Sequence, residues 1–142
     1  MEFSECSMAD KTVFTNGCFD VLHRGHLELL KYCREIGDKV IVGINNDQGV
    51  KRLKGHLRPL NSQEDRKFAL ESLRYIDEVL IFSEDTPYNL IKSVSPDIIV
   101  KGGDYIPENV VGSDLAEVRI FKYVDGYSTT EILQNFSDRR KL

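Results

Sequence analysis

The sequence predicts a doubly wound, Rossmann-like α/β domain with a five-stranded parallel sheet in the order 3-2-1-4-5. Short runs rich in Val and Ile alternate with longer segments whose apolar residues recur at helical spacing. The runs are apolar on both faces, as strands of a parallel sheet covered on both sides must be. A dense segment containing glycines and histidines follows the first run, where an open α/β sheet places its ligand.

Thr12 to Thr15 reads as the first strand and Lys39 to Ile44 as the second. Glu78 to Phe82, Asp97 to Val100 and Glu117 to Phe121 are the third, fourth and fifth. Between the first two, Leu29, Leu30, Cys33 and Ile36 form one apolar stripe, and Gly37 stops that helix. Ser62, with Asp65 three residues on, opens a second helix whose stripe is Ala69, Leu70, Leu73 and Ile76. Thr86-Pro87 starts a third, because proline suits a first helical turn, and Leu90, Ile91 and Val94 are its buried side. Ser128 starts a last helix with Ile132, Leu133 and Phe136 inward. Right-handed crossovers wind this order onto both faces of one sheet. Residues 1–11 read as a loose arm, 12–137 as the domain and 138–142 as a tail.

The 142 residues suit one compact domain, and 41% hydrophobic with 30% charged residues is ordinary for a soluble globular chain. A formal net charge of −4 supplies no general basic field for nucleic acid, so any anion site must be local. No apolar run reaches membrane-spanning length, and Met1 to Lys11 lacks the basic and apolar regions of a signal peptide. Cys6, Cys18 and Cys33 form no CxxC pair, which fits reduced thiols. A cytoplasmic protein without nucleic-acid or membrane partners is expected.

The chemistry concentrates in Thr15-Asn16-Gly17-Cys18-Phe19-Asp20-Val21-Leu22-His23-Arg24-Gly25-His26. Gly17 permits close backbone approach or a positive φ. His23 and His26 stand three apart, so on an opening helical turn they share a face and both rings can donate to one phosphate beside the helix N–H groups. Gly25 leaves room for the anion between them. A metal is the competing reading of two histidines, but His56 is the only other histidine and no cysteine pair accompanies them, so no metal ligand is assigned. The basic cluster Lys51, Arg52 and Lys54, between Gly49 and Gly55, reads either as a solvated face or as a mobile flap over a triphosphate, and the flap is favoured. Ser128-Thr129-Thr130-Glu131 has the spacing of a capping box, and the same helix start can hold a β- or γ-phosphate. Gly102-Gly103-Asp104 follows the fourth strand and faces the first strand's loop across the switch point.

The string TNGCFDVLHRGH resembles the HxGH signature of the cytidylyltransferase-like nucleotidyltransferases, over about Thr12 to Leu133. Asn45-Asn46-Asp47, Lys51-Arg52-Leu53-Lys54-Gly55, Arg58-Pro59 and Glu64-Asp65-Arg66 resemble the middle of that family. Glu84-Asp85-Thr86-Pro87, Val100-Lys101-Gly102-Gly103-Asp104-Tyr105 and Asp125-Gly126-Tyr127-Ser128-Thr129-Thr130 resemble the D-glycero-D-manno-heptose 1-phosphate adenylyltransferases. In many bacteria that activity is half of a fusion with a sugar kinase, and no kinase half is present in these residues. The cytidylyltransferase branch carries an arginine shortly before its G-x-S-T-T string, where this chain has Tyr123-Val124-Asp125.

The resemblance implies transfer of a nucleotidyl group, adenylyl before cytidylyl, from a nucleoside triphosphate to a heptose 1-phosphate, with pyrophosphate released. His23, His26, Lys51 and Lys54 are the expected catalytic residues. Asn16, Gly17, Cys18, Phe19, Gly25, Asp104, Gly126, Ser128, Thr129 and Thr130 would bind the nucleotide, and Asp20, Arg52 and Lys101 the sugar phosphate. A Mg²⁺ held mainly by the triphosphate and water would accompany them, and the enzyme is expected to be a homodimer. Glycerol 3-phosphate cytidylyl transfer and a non-catalytic nucleotide-binding module are the alternatives. A redox protein on the same frame is disfavoured because GxGxxG is missing after the first strand.

Overall fold

The structure, a computed structural model, describes residues 10–122. The expected last helix and tail, together with Gly126, Ser128, Thr129 and Thr130, lie outside the described residues. Within them the order is β1 (Thr12–Gly17), α1 (Arg24–Ile36), β2 (Lys39–Asn45), α2 (Asp47–Lys54), α3 (Gln63–Glu71), β3 (Glu78–Phe82), α4 (Tyr88–Val94), β4 (Ile98–Gly102) and β5 (Glu117–Phe121). The sheet runs β3-β2-β1-β4-β5, with every neighbouring pair parallel, as the sequence predicts.

Adjacent residues of each inner strand feed opposite layers. Val13, Val40, Val42 and Ile98 pack with Leu29, Leu30 and Cys33 of α1 and Leu70 of α3. Phe14, Ile41 and Ile99 pack with Ile91 of α4 and Val110 on the other face. Each such large apolar side chain removed from water contributes about 1.5–3 kcal/mol, which is why strands apolar on both faces must lie inside a three-layer sandwich.

Three local readings differ. Gly37 does follow α1, but its φ of −150° is extended. It is needed for space, because a Cβ there would lie 2.4 Å from Val13 Cγ2. On α3 the inward face carries Arg66 and Leu70, both buried, whereas Ala69 is exposed. Residue 69 lies about 100° round the helix from Leu70, so Leu70 and Arg66, four apart, define the buried face. The segment read as a flap contains α2, a two-turn helix capped at Asn46, whose side chain accepts from Gly49 N–H at 2.8 Å.

The topology opens a crevice. β1 pairs with β2 over six positions, from Thr12↔Lys39 to Gly17↔Ile44. With β4 it pairs only at Val13↔Ile98 and Phe14↔Ile99. Beyond Phe14 the two strands part, and the loops that follow them border the gap, at the point where the winding of the sheet reverses.

Candidate active site

A cavity of about 550 Å³ lies over the carboxyl ends of β1, β2 and β4, and Asn16, Gly17, Cys18, Phe19, His23 and His26 form its β1 side. His23 is the N-cap of α1, with extended backbone (φ −139°, ψ 176°). Its Nδ1 accepts from Gly25 N–H at 3.0 Å, and Nδ1 of His26 accepts from His23 N–H at 3.3 Å. The two histidines therefore form a reciprocal capping box, the arrangement usually made by Ser or Thr with Glu.

This capping sets the tautomer. A ring nitrogen that accepts an N–H cannot carry a proton, so the neutral rings hold theirs on Nε2. The rings stack at a centroid distance of 3.8 Å and 26°. Burial lowers the pKa of His26 to about 4, with the neighbouring His23 acting in the same direction, and burial lowers that of His23. The resting site thus offers two neutral Nε2–H donors rather than two cations. Gly25 is not on the cavity wall, and its N–H is already engaged by His23, so it does not face an anion as the spacing alone implied.

Phe19 supports this pair from the side. It is buried, its φ is +49°, and its ring meets that of His26 at 5.0 Å. A non-glycine residue in the left-handed region costs about 1–3 kcal/mol and needs surrounding packing to hold it. Gly17 serves that packing: a Cβ there would lie 3.1 Å from the Phe19 ring. Of the two roles expected for Gly17 the structure uses close approach, and the positive φ falls two residues later.

Arg66 holds the same loop from beneath. Its side chain is fully buried. Nη1 donates to Cys18 O (3.0 Å) and Asn45 O (2.8 Å), Nε to Asn61 O (3.0 Å), and Nη2 to Asp47 Oδ1 (2.9 Å). One guanidinium thereby ties the β1 loop, the end of β2, the start of α2 and the approach to α3. The sequence places it in the family-like string Glu64-Asp65-Arg66 without a role; its position four before Leu70 on the inward face is a further signal.

The rest of the lining supplies the cations: Lys54, Arg58 and Lys101 border the cavity. Burial lowers the pKa of Lys101, whose ammonium lies 5.2 Å from the Tyr105 ring centroid. Cys18 also borders it; burial raises the thiol's pKa, against the pull of Lys54, Arg66 and Arg58. Lys51 and Arg52 are not on the wall. Lys51 is exposed, and Arg52 is bound to Asp85 Oδ1 (3.0 Å) and Ser83 O (2.9 Å), pinning the end of α2 to the loop after β3. Asp104 is exposed and off the wall, while Tyr105 beside it is on it.

Asp20 reaches the cavity, but its carboxylate is occupied. It accepts from Arg58 Nε at 2.8 Å, Leu60 N–H at 2.7 Å and Asn61 N–H at 2.9 Å. Burial alone would raise its pKa; the two amides and Arg58 outweigh that and hold it below the usual carboxylate range. Asp20 therefore orders residues 58–61, a role beside the contact with the sugar phosphate that the resemblance implies for it.

Among the described residues no group of three or more His, Cys, Asp or Glu side chains gathers where it could hold a metal. Of the cavity carboxylates, Asp20 is bound to Arg58 and Asp85 to Arg52. No helix among the described residues is long and apolar enough to cross a membrane.

Comparison with known proteins bears on this arrangement. The family model described as cytidylyltransferase-like matches residues 14–135. The chain is 53% identical over 131 residues to the bifunctional protein HldE of Campylobacter concisus, covering 92% of this chain and 28% of that protein. It is 58% identical over 125 residues to the bifunctional protein HldE of Nitratiruptor sp., covering 87% and 27%. The chain thus spans about a quarter of the length of these curated relatives. A lipopolysaccharide core biosynthesis protein from Thermoplasma volcanium superposes with a TM-score of 0.67 at 25% identity, over 83% of this chain and 98% of that one. Pantothenate synthetase from Thermus thermophilus shares the fold at a TM-score of 0.62 and 18% identity, over 94% of this chain and 65% of that one.

Proposed function

The chain belongs to the cytidylyltransferase-like family of nucleotidyltransferases, and from that premise we propose that it transfers an adenylyl group from ATP to a heptose 1-phosphate, releasing pyrophosphate and forming a nucleotide-activated sugar. The observation that carries the reaction type is the pair of stacked histidines whose Nδ1 atoms are both occupied by backbone N–H groups, leaving two Nε2–H donors at the switch-point cavity. The Val100-to-Tyr105 string and the identity of about half to bifunctional proteins named HldE support the heptose substrate.

The chemistry asks little of the protein beyond placement. A phosphate monoester loses its second proton near ~6, so the acceptor oxygen is already anionic near neutral pH and needs no general base. That oxygen forms a bond to the α-phosphorus of the triphosphate while the bond from α-phosphorus to the bridging oxygen breaks, and pyrophosphate departs with the electron pair. Charge moves onto the departing oxygens. The Nε2–H groups of His23 and His26 and the ammonium of Lys54, all residues that line the cavity, would supply donors to that charge. The donors cost no reorganisation, because the capping bonds orient the rings before substrate arrives.

The residues present suit a Mg²⁺ carried by the nucleotide and not a protein cage, because both cavity carboxylates already hold arginines. When bound, the ion would neutralise phosphate charge. The test is pyrophosphate release in the presence of Mg²⁺, crossing ATP, CTP and GTP with heptose 1-phosphates and glycerol 3-phosphate. Turnover with ATP and a heptose 1-phosphate is expected. Turnover confined to CTP with glycerol 3-phosphate would overturn the heptose reading and keep the reaction class; no turnover with any pair would favour a binding module.

A further inference from the structure

Two anions must meet in this cavity if the reading above is right, and the histidines account for only one set of donors. Arg58 is placed to receive the other. It stands on the loop between α2 and α3, its side chain is only 14% exposed, and it borders the cavity. Its Nε is committed to Asp20 at 2.8 Å, and Asp20, whose side chain is 1% exposed, is itself fixed by the amides of Leu60 and Asn61. Among the described residues the two terminal nitrogens of Arg58 have no hydrogen-bond partner. A guanidinium held through Nε turns its planar Nη1/Nη2 edge outward, and that edge matches two oxygens of a phosphate.

We propose that Arg58 is the specificity-determining residue for the acceptor: it grips the phosphate of the sugar phosphate, with Asp20 as its positioning residue. The assignment to the acceptor follows from the charge each cation brings. Lys54 borders the cavity with no acidic partner among the described residues, whereas Arg58 reaches it already paired with the buried carboxylate of Asp20. The ion pair with Asp20 also suits a small monoester. It cancels one formal charge, so Arg58 adds direction and shape where Lys54 adds charge for the triphosphate. The inference rests on the proposed two-substrate reaction but not on the identity of the sugar or the base.

The test splits the two Michaelis constants. In Arg58→Gln and Arg58→Lys, the KM for heptose 1-phosphate should rise roughly tenfold to a hundredfold, the weight of one charged hydrogen-bonded contact, with the KM for ATP within about threefold of the parent. Asp20→Asn should move the same constant by less, because Arg58 stays but loses its clamp. Arg58→Lys keeps the charge and the loop, so it reports on the fork if the Gln variant folds poorly. A rise in the KM for ATP equal to that for the acceptor, or an unchanged acceptor KM in Arg58→Lys, would overturn the assignment. If the parent enzyme works only with CTP and glycerol 3-phosphate, the heptose reading falls and Arg58 is judged on the KM for glycerol 3-phosphate. If the parent turns over neither pair, calorimetric titration with inorganic phosphate decides: weaker binding by Arg58→Gln than by the parent is expected, and equal binding refutes it.

Discussion

The histidine wall and the cationic wall of the cavity are held by different means. On the β1 side, the histidine rings are fixed by their own loop. His23 and His26 cap α1, Phe19 wedges against His26, and Arg66 grips the loop from below. On the other side, Leu53, Leu57 and Leu60 stand 60%, 78% and 55% exposed, and α2 is capped by Gly55 at φ +101°, where a Cβ would meet nothing within 4 Å among the described residues. The base of α2 is tied by Arg66 through Asp47, and the exposed stretch beyond is held by Arg52 to Asp85 and Ser83 and by Asp20 to Arg58, Leu60 and Asn61. The difference matches the two tasks proposed for these walls. Donors proposed to act at the reacting phosphorus gain from being preorganised, whereas cations proposed to follow a triphosphate in and pyrophosphate out gain from a segment with few apolar anchors.

The comparison breaks most visibly at Arg66. Arg66→Met leaves the carbonyls of Cys18, Asn45 and Asn61 without their donor inside the protein. Removing one partner of a buried charged network costs on the order of 3–5 kcal/mol, read as a shift in the urea unfolding midpoint. A loss below about 1 kcal/mol would mean that the histidine wall is not built on this residue.

The histidines separate scaffold from chemistry. His26→Ala should lower kcat roughly a hundredfold to a thousandfold, as loss of one preorganised donor does. His23→Ala should lower both rate and stability, the latter by about 1 kcal/mol for a lost N-cap. His23→Ser restores a capping oxygen but has no Nε2–H, so unfolding free energy should return while the rate does not. Recovery of rate in His23→Ser would show that the ring's contribution was capping alone.

Burial gives this wall a pH signature. In the folded protein His26 titrates at about 4, below the ordinary 6.5. The unfolded chain therefore takes up a proton as pH falls through 6.5 while the folded chain does not, and stability declines from 6.5 towards 4. Between pH 7.5 and 4.5 the parent should lose on the order of 2–3 kcal/mol more than His26→Gln. The carboxylates of Asp20 and Asp77, held below 3.8, act at lower pH and fall outside this window. Equal pH slopes in the two proteins would place His26 in contact with water.

What could be read in advance divides along the same line. The strands were legible because residues buried on both faces leave continuous apolar runs, and the reaction class because His23 and His26 are close in sequence. The capping role of the rings was not, since it depends on His23 adopting an extended backbone. Arg58 and Arg66 stand in family-like strings but reveal no role there, because their partners Asp20 and Cys18 lie 38 and 48 residues away. α2 escaped notice because it spans two turns, contains Gly49 and buries one apolar side chain, Val50. The ordering role of Asp20 was hidden for a related reason: the amides of Leu60 and Asn61 that occupy its carboxylate come from a loop distant in sequence.

The smallest expected effect sharpens the contrast within α2 itself. Lys51 and Lys54 belong to the same last turn and were indistinguishable by sequence. Lys54 borders the cavity, and Lys51 is exposed and does not. Lys54→Ala removes a cation proposed to meet phosphate oxygens, a contact worth on the order of 1.5–3 kcal/mol, or roughly tenfold to a hundredfold in kcat/KM. Lys51→Ala removes a solvated charge whose field is screened over about 8–10 Å at ordinary salt, so kcat/KM should stay within about twofold. Neither change should move the melting temperature of the unliganded enzyme by more than a degree or two, because neither side chain is part of the core. Hydrogen exchange across residues 48–58 completes the test, since a rim that adapts to the triphosphate should gain protection when ATP and Mg²⁺ are added. Equal losses in the two lysine variants, with protection rising over the whole helix, would mean that α2 moves as a body and brings Lys51 onto the phosphates. Equal protection with and without ATP would make the cationic wall as preorganised as the histidine wall.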